Sequence, residues 1–156
     1  MISIQNRQQI SVLFGQLTQD SMPLFGQMTA QHMVEHLTFS VDLSNGSKPQ
    51  ELQYPQEKAE KIKHFLIYTP GQIPEGFKSP LLPTDQLIPL NSPDLPHAIS
   101  DLEVALDQFF QFFAHHPEAK PINPTMGELN FQEWICFHNK HFFHHLRQFG
   151  LVEKEI

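Results

Sequence analysis

The sequence has one cysteine, few charged residues and no long apolar run, and each shortage excludes a class of protein. Cys136 cannot form an internal disulfide, which argues against a disulfide-stabilised secreted domain. No stretch approaches the ~18 continuous apolar residues that a membrane-spanning helix needs. The first residues also lack the basic and apolar regions of a signal peptide. These shortages predict a cytoplasmic protein without a membrane span.

Charged residues form only 17% of the chain, and the formal net charge is −7 with the histidines counted as neutral. Soluble proteins carry about 25% charged residues on average. A negatively charged chain repels a phosphate backbone, and its few lysines and arginines are scattered rather than clustered. The charge pattern therefore predicts a protein that binds neither nucleic acid nor membrane.

The chain of 156 residues is long enough for one domain, 1–156, with a real core. It shows no internal repeat and no convincing β alternation. Apolar periodicity, caps and breakers predict helices over 3–19, 30–44, 56–68 and 96–115 and within 130–150, with 56–68 as a shorter surface helix.

The four main helices and the long, proline-rich segment 69–95 predict an all-α four-helix bundle with a crossover loop. An irregular connection of that length is often the lid or wall of a site. The alternative is a plain connection that only spans the bundle.

The last helix, NFQEWICFHNKHFFHHLRQFG, has clear end signals and carries four histidines. Asn130 is placed as N-cap with Glu133 three residues later, and Gly150 follows the last turn. His141 and His145 lie about 40° apart on one helix face. A pair of imidazoles at this spacing can hold one transition metal.

A third ligand has to come from another helix. In the helix over 30–44, with Thr29 as N-cap, His36 occupies the middle of the buried stripe and His32 lies one turn earlier. We therefore predict a metal site formed by His36, His141 and His145. Three imidazoles leave coordination positions open, which is typical of catalytic sites, and they suit Zn, Ni, Fe or Cu.

Other histidines and polar residues leave alternatives open. His138 or Glu35 could act as a fourth ligand, which would indicate a structural metal. His138 or His32 could serve as a general base, and Gln148 could orient a bound water. Glu35 and Asp42 could accept an imidazole N–H, although a solvated surface role is simpler. The histidine face could also be only a polar seam, but burying unpaired imidazoles in a core is costly.

Two stretches resemble a known family. The segment NPTMGEL at 123–129, QEW at 132–134 and HFFHHLRQFG at 141–150 are similar to the C-terminal signature of the DinB-like superfamily, in a branch of small bacterial proteins. The segment MTAQHMVEHL at 28–37 resembles its second-helix motif, in which the histidine before a leucine is a ligand. The similarity covers most of the chain from about residue 22 onward.

The resemblance implies an up-down-down-up four-helix bundle with a divalent metal, often nickel or zinc, held by His36, His141 and His145. Relatives include thiol S-transferases that use bacillithiol or related thiols and a mycothiol-dependent maleylpyruvate isomerase. A small-molecule substrate, a low-molecular-weight thiol cofactor and a homodimer are therefore implied for this chain. The superfamily's name refers to induction by DNA damage and not to DNA binding.

The expected function is that of a metal-dependent enzyme, either thiol S-transferase-like or a hydrolase. A divalent metal lowers the pKa of a bound thiol or water into the physiological range, so no protein nucleophile is required. The alternative is a non-catalytic metal- or ligand-binding bundle that acts as a dimer.

Overall fold

The computed structural model describes residues 1–83 and 85–153, which are mostly helical. They form α1 (Arg7–Phe14), α2 (Ala30–Asp42), α3 (Gln56–Tyr68), α4 (Leu95–His115) and α5 (Phe131–Gln148), with a two-stranded antiparallel ladder, β1 (Ile122–Asn123) and β2 (Gly127–Glu128), before α5. The predicted domain 1–156 also includes Thr84 and residues 154–156, which lie outside the described residues.

The two histidine-bearing helices begin where their capping residues predict. The Asn130 side chain accepts a hydrogen bond from the backbone N–H of Glu133 (3.0 Å), and the Glu133 carboxylate accepts one from the N–H of Asn130 (2.9 Å). Thr29 Oγ1 accepts a hydrogen bond from the backbone N–H of His32 at the start of α2. Gly150 has a positive φ of 68°, as expected for a residue that ends a helix. Local chemistry therefore sets the ends of both helices.

The prediction of a first helix over 3–19 was wrong about its length. Helix α1 has eight residues, begins after the N-cap Asn6 and ends at Phe14, with Gly15 as C-cap. Ile4 is fully buried but precedes the helix, and its N–H donates to Asn139 Oδ1 on α5 at 2.8 Å. The apolar side chain of Ile4 suggested a helical turn, but the backbone N–H of Ile4 instead makes a tertiary hydrogen bond.

The expectation of no β structure was wrong for one short hairpin. β1 and β2 have two residues each, too few to show an alternating pattern, and Gly127 adopts a φ of 80° at their connection. The indole N–H of Trp134 donates to the carbonyl of Pro121 at 3.2 Å and ties the hairpin to the start of α5.

Helices α2 and α5 run antiparallel and in contact. His36, near the middle of α2, faces His141 and His145 of α5, whereas Ser44, just past the end of α2, contacts His138. Helix α4 packs along α2. No helix in the described ranges is both long and apolar enough to cross a membrane.

The loop 69–95 is held down at both ends. Lys140 of α5 donates to the carbonyls of Thr69 (2.8 Å) and Gly71 (2.6 Å). The carboxylate of Glu35 on α2 accepts the backbone N–H groups of residues 91–92 at 2.8 and 3.0 Å. The loop therefore lies across the α2 and α5 faces that carry the histidines.

Candidate metal centre

Helices α2 and α5 bring three imidazoles together. The Nε2 atom of His36 lies 2.9 Å from Nε2 of His141, which lies 3.1 Å from Nε2 of His145. The three candidate ligand atoms lie within 4.8 Å of one another. Tetrahedral zinc with bonds of about 2.05 Å places its nitrogen ligands roughly 3.3 Å apart, close to the His36–His141 and His141–His145 separations. The three histidines selected from helical spacing are therefore close enough to hold one metal ion.

A hydrogen-bond chain fixes the orientation of His145. The Gln148 side-chain N–H donates to the carbonyl of Phe25 at 2.9 Å, so Gln148 Oε1 is the atom that faces His145 Nδ1 at 2.7 Å. An amide oxygen can only accept, so His145 Nδ1 carries the proton. Its Nε2 then presents a lone pair to the cluster, as a metal ligand must.

The other two rings are less tightly held. His141 Nδ1 lies 3.2 Å from Ser40 Oγ, which can accept its proton. Nδ1 of His36 is buried without a hydrogen-bond partner among the described residues. Gln148 and Ser40 thus orient the two ligands from α5.

Neutral imidazoles can supply at most one hydrogen to the two short contacts within the cluster. His145 Nε2 has no hydrogen, so a hydrogen on His36 Nε2 that binds His141 leaves two lone pairs facing each other across the 3.1 Å contact. Burial lowers the pKa of His36 to about 4, and burial together with neighbouring imidazoles lowers the pKa values of His141 and His145 well below 6.5. Protonation is therefore disfavoured, whereas a metal ion takes neutral imidazoles as ligands.

His138 lies outside this cluster. The Ser44 hydroxyl donates its hydrogen to the carbonyl of Val41 at 2.7 Å, so at the 2.8 Å contact with His138 Nε2 it acts as the acceptor. His138 therefore carries its proton on Nε2, its buried Nδ1 has no partner in the described chain, and burial lowers its pKa to about 3. The ring stacks on Trp134 with centroids 5.2 Å apart.

His32 and His144 border the site without belonging to the three-histidine group. His32 Nδ1 contacts Thr29 Oγ1 at 2.6 Å, at the start of α2. His144 Nδ1 donates to the carbonyl of Ile73 at 3.2 Å and helps to hold the loop 69–95.

The structure places Glu35 and Asp42, the two carboxylates considered as possible imidazole partners, away from the ligand rings. Burial alone would raise the pKa of Glu35, but the backbone N–H groups of residues 91–92 outweigh it and lower the pKa, so this carboxylate anchors the loop. Asp42 accepts from Asn45 Nδ2 at 3.1 Å. Ser40 and Gln148 take the position beside the ligands because they lie on the same helix faces as the histidines.

Two cavities meet at the histidine cluster. The first, of about 390 Å³, is mainly apolar, and the second, of about 480 Å³, is lined in part by polar and charged side chains. We call them the apolar cavity and the polar cavity. His36 and His145 line both. Characteristic residues of the apolar cavity are Phe39, Leu43, Ile62, Phe65, Leu66 and Phe137, and those of the polar cavity are His32, Glu35, Glu75, Lys78, Gln86 and Gln148.

The loop 69–95 is a wall of both cavities. Phe77 and Leu82 line both, and the ion pair between Arg147 and Glu75 (3.0 Å) fixes the loop on α5. The sequence left open whether this loop is a wall of a site or a plain connection, and its position agrees with the wall.

The sequence pattern did not identify Ser44 and Asn123, which contribute to the surroundings of the histidines. Ser44 fixes His138, and Asn123 of the hairpin lines the apolar cavity. Ser40 could have been found, because it lies one turn after His36 on the same stripe.

Comparisons of this chain with protein-family models, with curated proteins and with solved structures find no significant match.

Proposed function

We propose that this protein is a divalent-metal-dependent enzyme of the DinB-like superfamily, with His36, His141 and His145 as the metal ligands. The observation that carries the proposal is the convergence of three imidazole Nε2 atoms, to whose two short contacts neutral rings supply at most one hydrogen. The proposal includes an up-down-down-up four-helix bundle, for which the antiparallel contact of α2 with α5 is supporting evidence.

The absence of a fourth protein ligand supports a catalytic site over a structural one. In the described chain, His138 is bound to Ser44 and Glu35 to the loop, so neither completes the shell of the three histidines. His36 and His145 line both cavities, so a metal held by the three imidazoles would lie beside space for a ligand. A non-catalytic bundle acting as a dimer is the alternative, and it would be expected to close these positions.

The donor set fits nickel or zinc, because both accept imidazole nitrogen. Bound there, such a metal would lower the pKa of a thiol or a water molecule. The remaining roles belong to residues of the chain itself. Gln148 and Ser40 hold two ligand rings in position, and the loop 69–95 shields the site from water.

Two cavities that meet at one cluster favour transfer between two molecules over hydrolysis of one. The polar cavity suits a low-molecular-weight thiol, which carries charged and amide groups, and the apolar cavity suits a small-molecule electrophile. In the reaction, the thiol sulfur forms a bond to an electrophilic carbon, and the bond broken there leaves its electron pair on an oxygen, which takes up the thiol proton. His32 lines the polar cavity and is the candidate that could move this proton, while Gln148 orients His145.

Elemental analysis of the tag-free protein, after exposure to nickel or zinc, tests the proposal. We expect one metal per chain in the wild type and loss of metal in His141→Ala and His145→Ala. Metal-loaded protein should then couple thiols to electrophiles, whereas the two variants should not. A wild-type protein that takes up neither metal would contradict the proposal.

A further inference from the structure

The apolar cavity is lined by α5 over about two helical turns. Its lining residues on that helix run from Phe137 to His145, which corresponds to roughly 12 Å of helix axis. On α2, the lining runs antiparallel, from His36 to Leu43. The histidine cluster therefore lies at one end of the cavity, and the start of α5 lies at the other.

A polar group closes the far end. Asn123 belongs to the hairpin that Trp134 ties to the start of α5, it lines the apolar cavity, and only 2% of its surface is exposed. Its Oδ1 accepts hydrogen bonds from both the N–H and the hydroxyl of Thr125, each at 2.9 Å. These donors fix which atom of the amide is the oxygen. The NH₂ group then has no hydrogen-bond partner among the described residues.

A donor without a partner in an almost fully buried residue gains a hydrogen bond when a ligand brings an acceptor to it. The surrounding walls are aromatic and aliphatic, so the body of the ligand must be apolar. Lys61 also lines the cavity, but its ammonium group is already paired with Glu57 at 2.8 Å. A charged carboxylate at the Asn123 end would therefore lose water without gaining a free cation.

We propose that the apolar cavity binds an elongated, uncharged molecule, with an alkyl or aryl body and a hydrogen-bond acceptor at the end that meets Asn123. This assigns a substrate class to the candidate centre and rests on the proposed function for its catalytic meaning. The reactive group of the molecule lies at the histidine end, and Asn123 sets the length of chain that fits.

Calorimetric titration with methyl decanoate, a neutral ester with an apolar chain, tests the proposal in metal-free and in zinc-loaded protein. We expect saturable binding in both forms, with the negative heat-capacity change that marks burial of apolar surface. Ile62→Trp fills the cavity and should abolish binding. Ile67→Trp adds the same bulk to α3 at a half-buried position that does not line the cavity, so it should bind as the wild type does.

Asn123→Asp tests the polar end. The aspartate keeps an oxygen for Thr125 but loses the NH₂ donor, so binding of the ester should weaken about tenfold. Any one of four results would overturn the proposal. These are no saturable binding in the wild type, full binding in Ile62→Trp, an equal loss of binding in Ile67→Trp, and unchanged binding in Asn123→Asp. Metal content is measured on the same samples. Ester binding without metal uptake would contradict the proposed function alone, and metal uptake without ester binding would contradict this inference alone.

Discussion

His138 and His145 are buried histidines on the same helix, about two turns apart, yet their surroundings differ in kind. His138 is enclosed by rings, with Trp134 stacked on it and the edge of Phe109 at a centroid distance of 5.3 Å. His145 borders two cavities and points its Nε2 at two other imidazoles. The comparison teaches that burial alone does not separate a packing histidine from a ligand. The atoms that face each ring nitrogen distinguish the two roles.

The largest expected difference between the two positions is in stability. His138→Ala opens a void in an aromatic core, and replacing a buried ring by alanine costs about 3 kcal/mol or more of unfolding free energy. His145→Ala removes a ring from the edge of existing cavities and relieves facing lone pairs, so it should cost less than half as much. Urea unfolding of the metal-free proteins measures both. Equal losses would show that the two environments are not different in packing.

Zinc should reverse the ranking. At a free zinc concentration about a hundred times the dissociation constant, binding to the native state alone adds about 2.7 kcal/mol of stability. We expect this gain in the wild type and in His138→Phe, and none in His145→Ala. Thermal unfolding with and without zinc measures it, and loss of the gain in His138→Phe would place His138 in the metal site.

A smaller effect is expected from the hydrogen-bond chain behind His145. Gln148→Ala removes the acceptor that holds the Nδ1 proton, and loss of such a partner weakens metal binding about 10- to 100-fold. Gln132→Ala, at an exposed position on the same helix, is the matched control and should not change the affinity. Competition with a metal chelator measures both variants. An unchanged affinity in Gln148→Ala would remove this residue from the site.

The effect of pH is the smallest one when it is taken per pH unit. His138 has a pKa of about 3 in the native protein and a usual value of 6.5, so between these values the unfolded chain binds a proton that the native chain does not. Stability of the metal-free protein should therefore fall as the pH drops below 6.5, by up to about 1.4 kcal/mol per pH unit for this group. His138→Phe should make the curve less steep. The same slope in the variant would assign the pH dependence to other groups.

Helix ends and the three-histidine set could be predicted because they depend on local rules. Asn130 with Glu133 and Thr29 at the start of α2 act over one turn, so the sequence alone contains the signal. His141 and His145 share a face through helical geometry. His36 could be added because it lies in the middle of a buried stripe.

The length of the first helix was predicted wrongly and the hairpin was missed because both depend on contacts between segments that are separate in sequence. Ile4 binds Asn139, and Trp134 binds Pro121, and neither contact leaves a periodic pattern. The carboxylate Glu35 was considered as a partner for imidazole, but the loop amides compete for it successfully.

The sequence by itself determined that the protein is mainly helical, where the two histidine-bearing helices start, and which imidazoles can share a metal ion. Only the tertiary structure decided that His138 is closed in by rings, that Gln148 fixes the proton of His145, and that two cavities meet at the cluster. The physical reason is the distance along the chain over which each interaction acts. Caps and helical faces follow from neighbours within one or two turns, whereas a ring's protonation and the space beside it depend on atoms that only packing brings close.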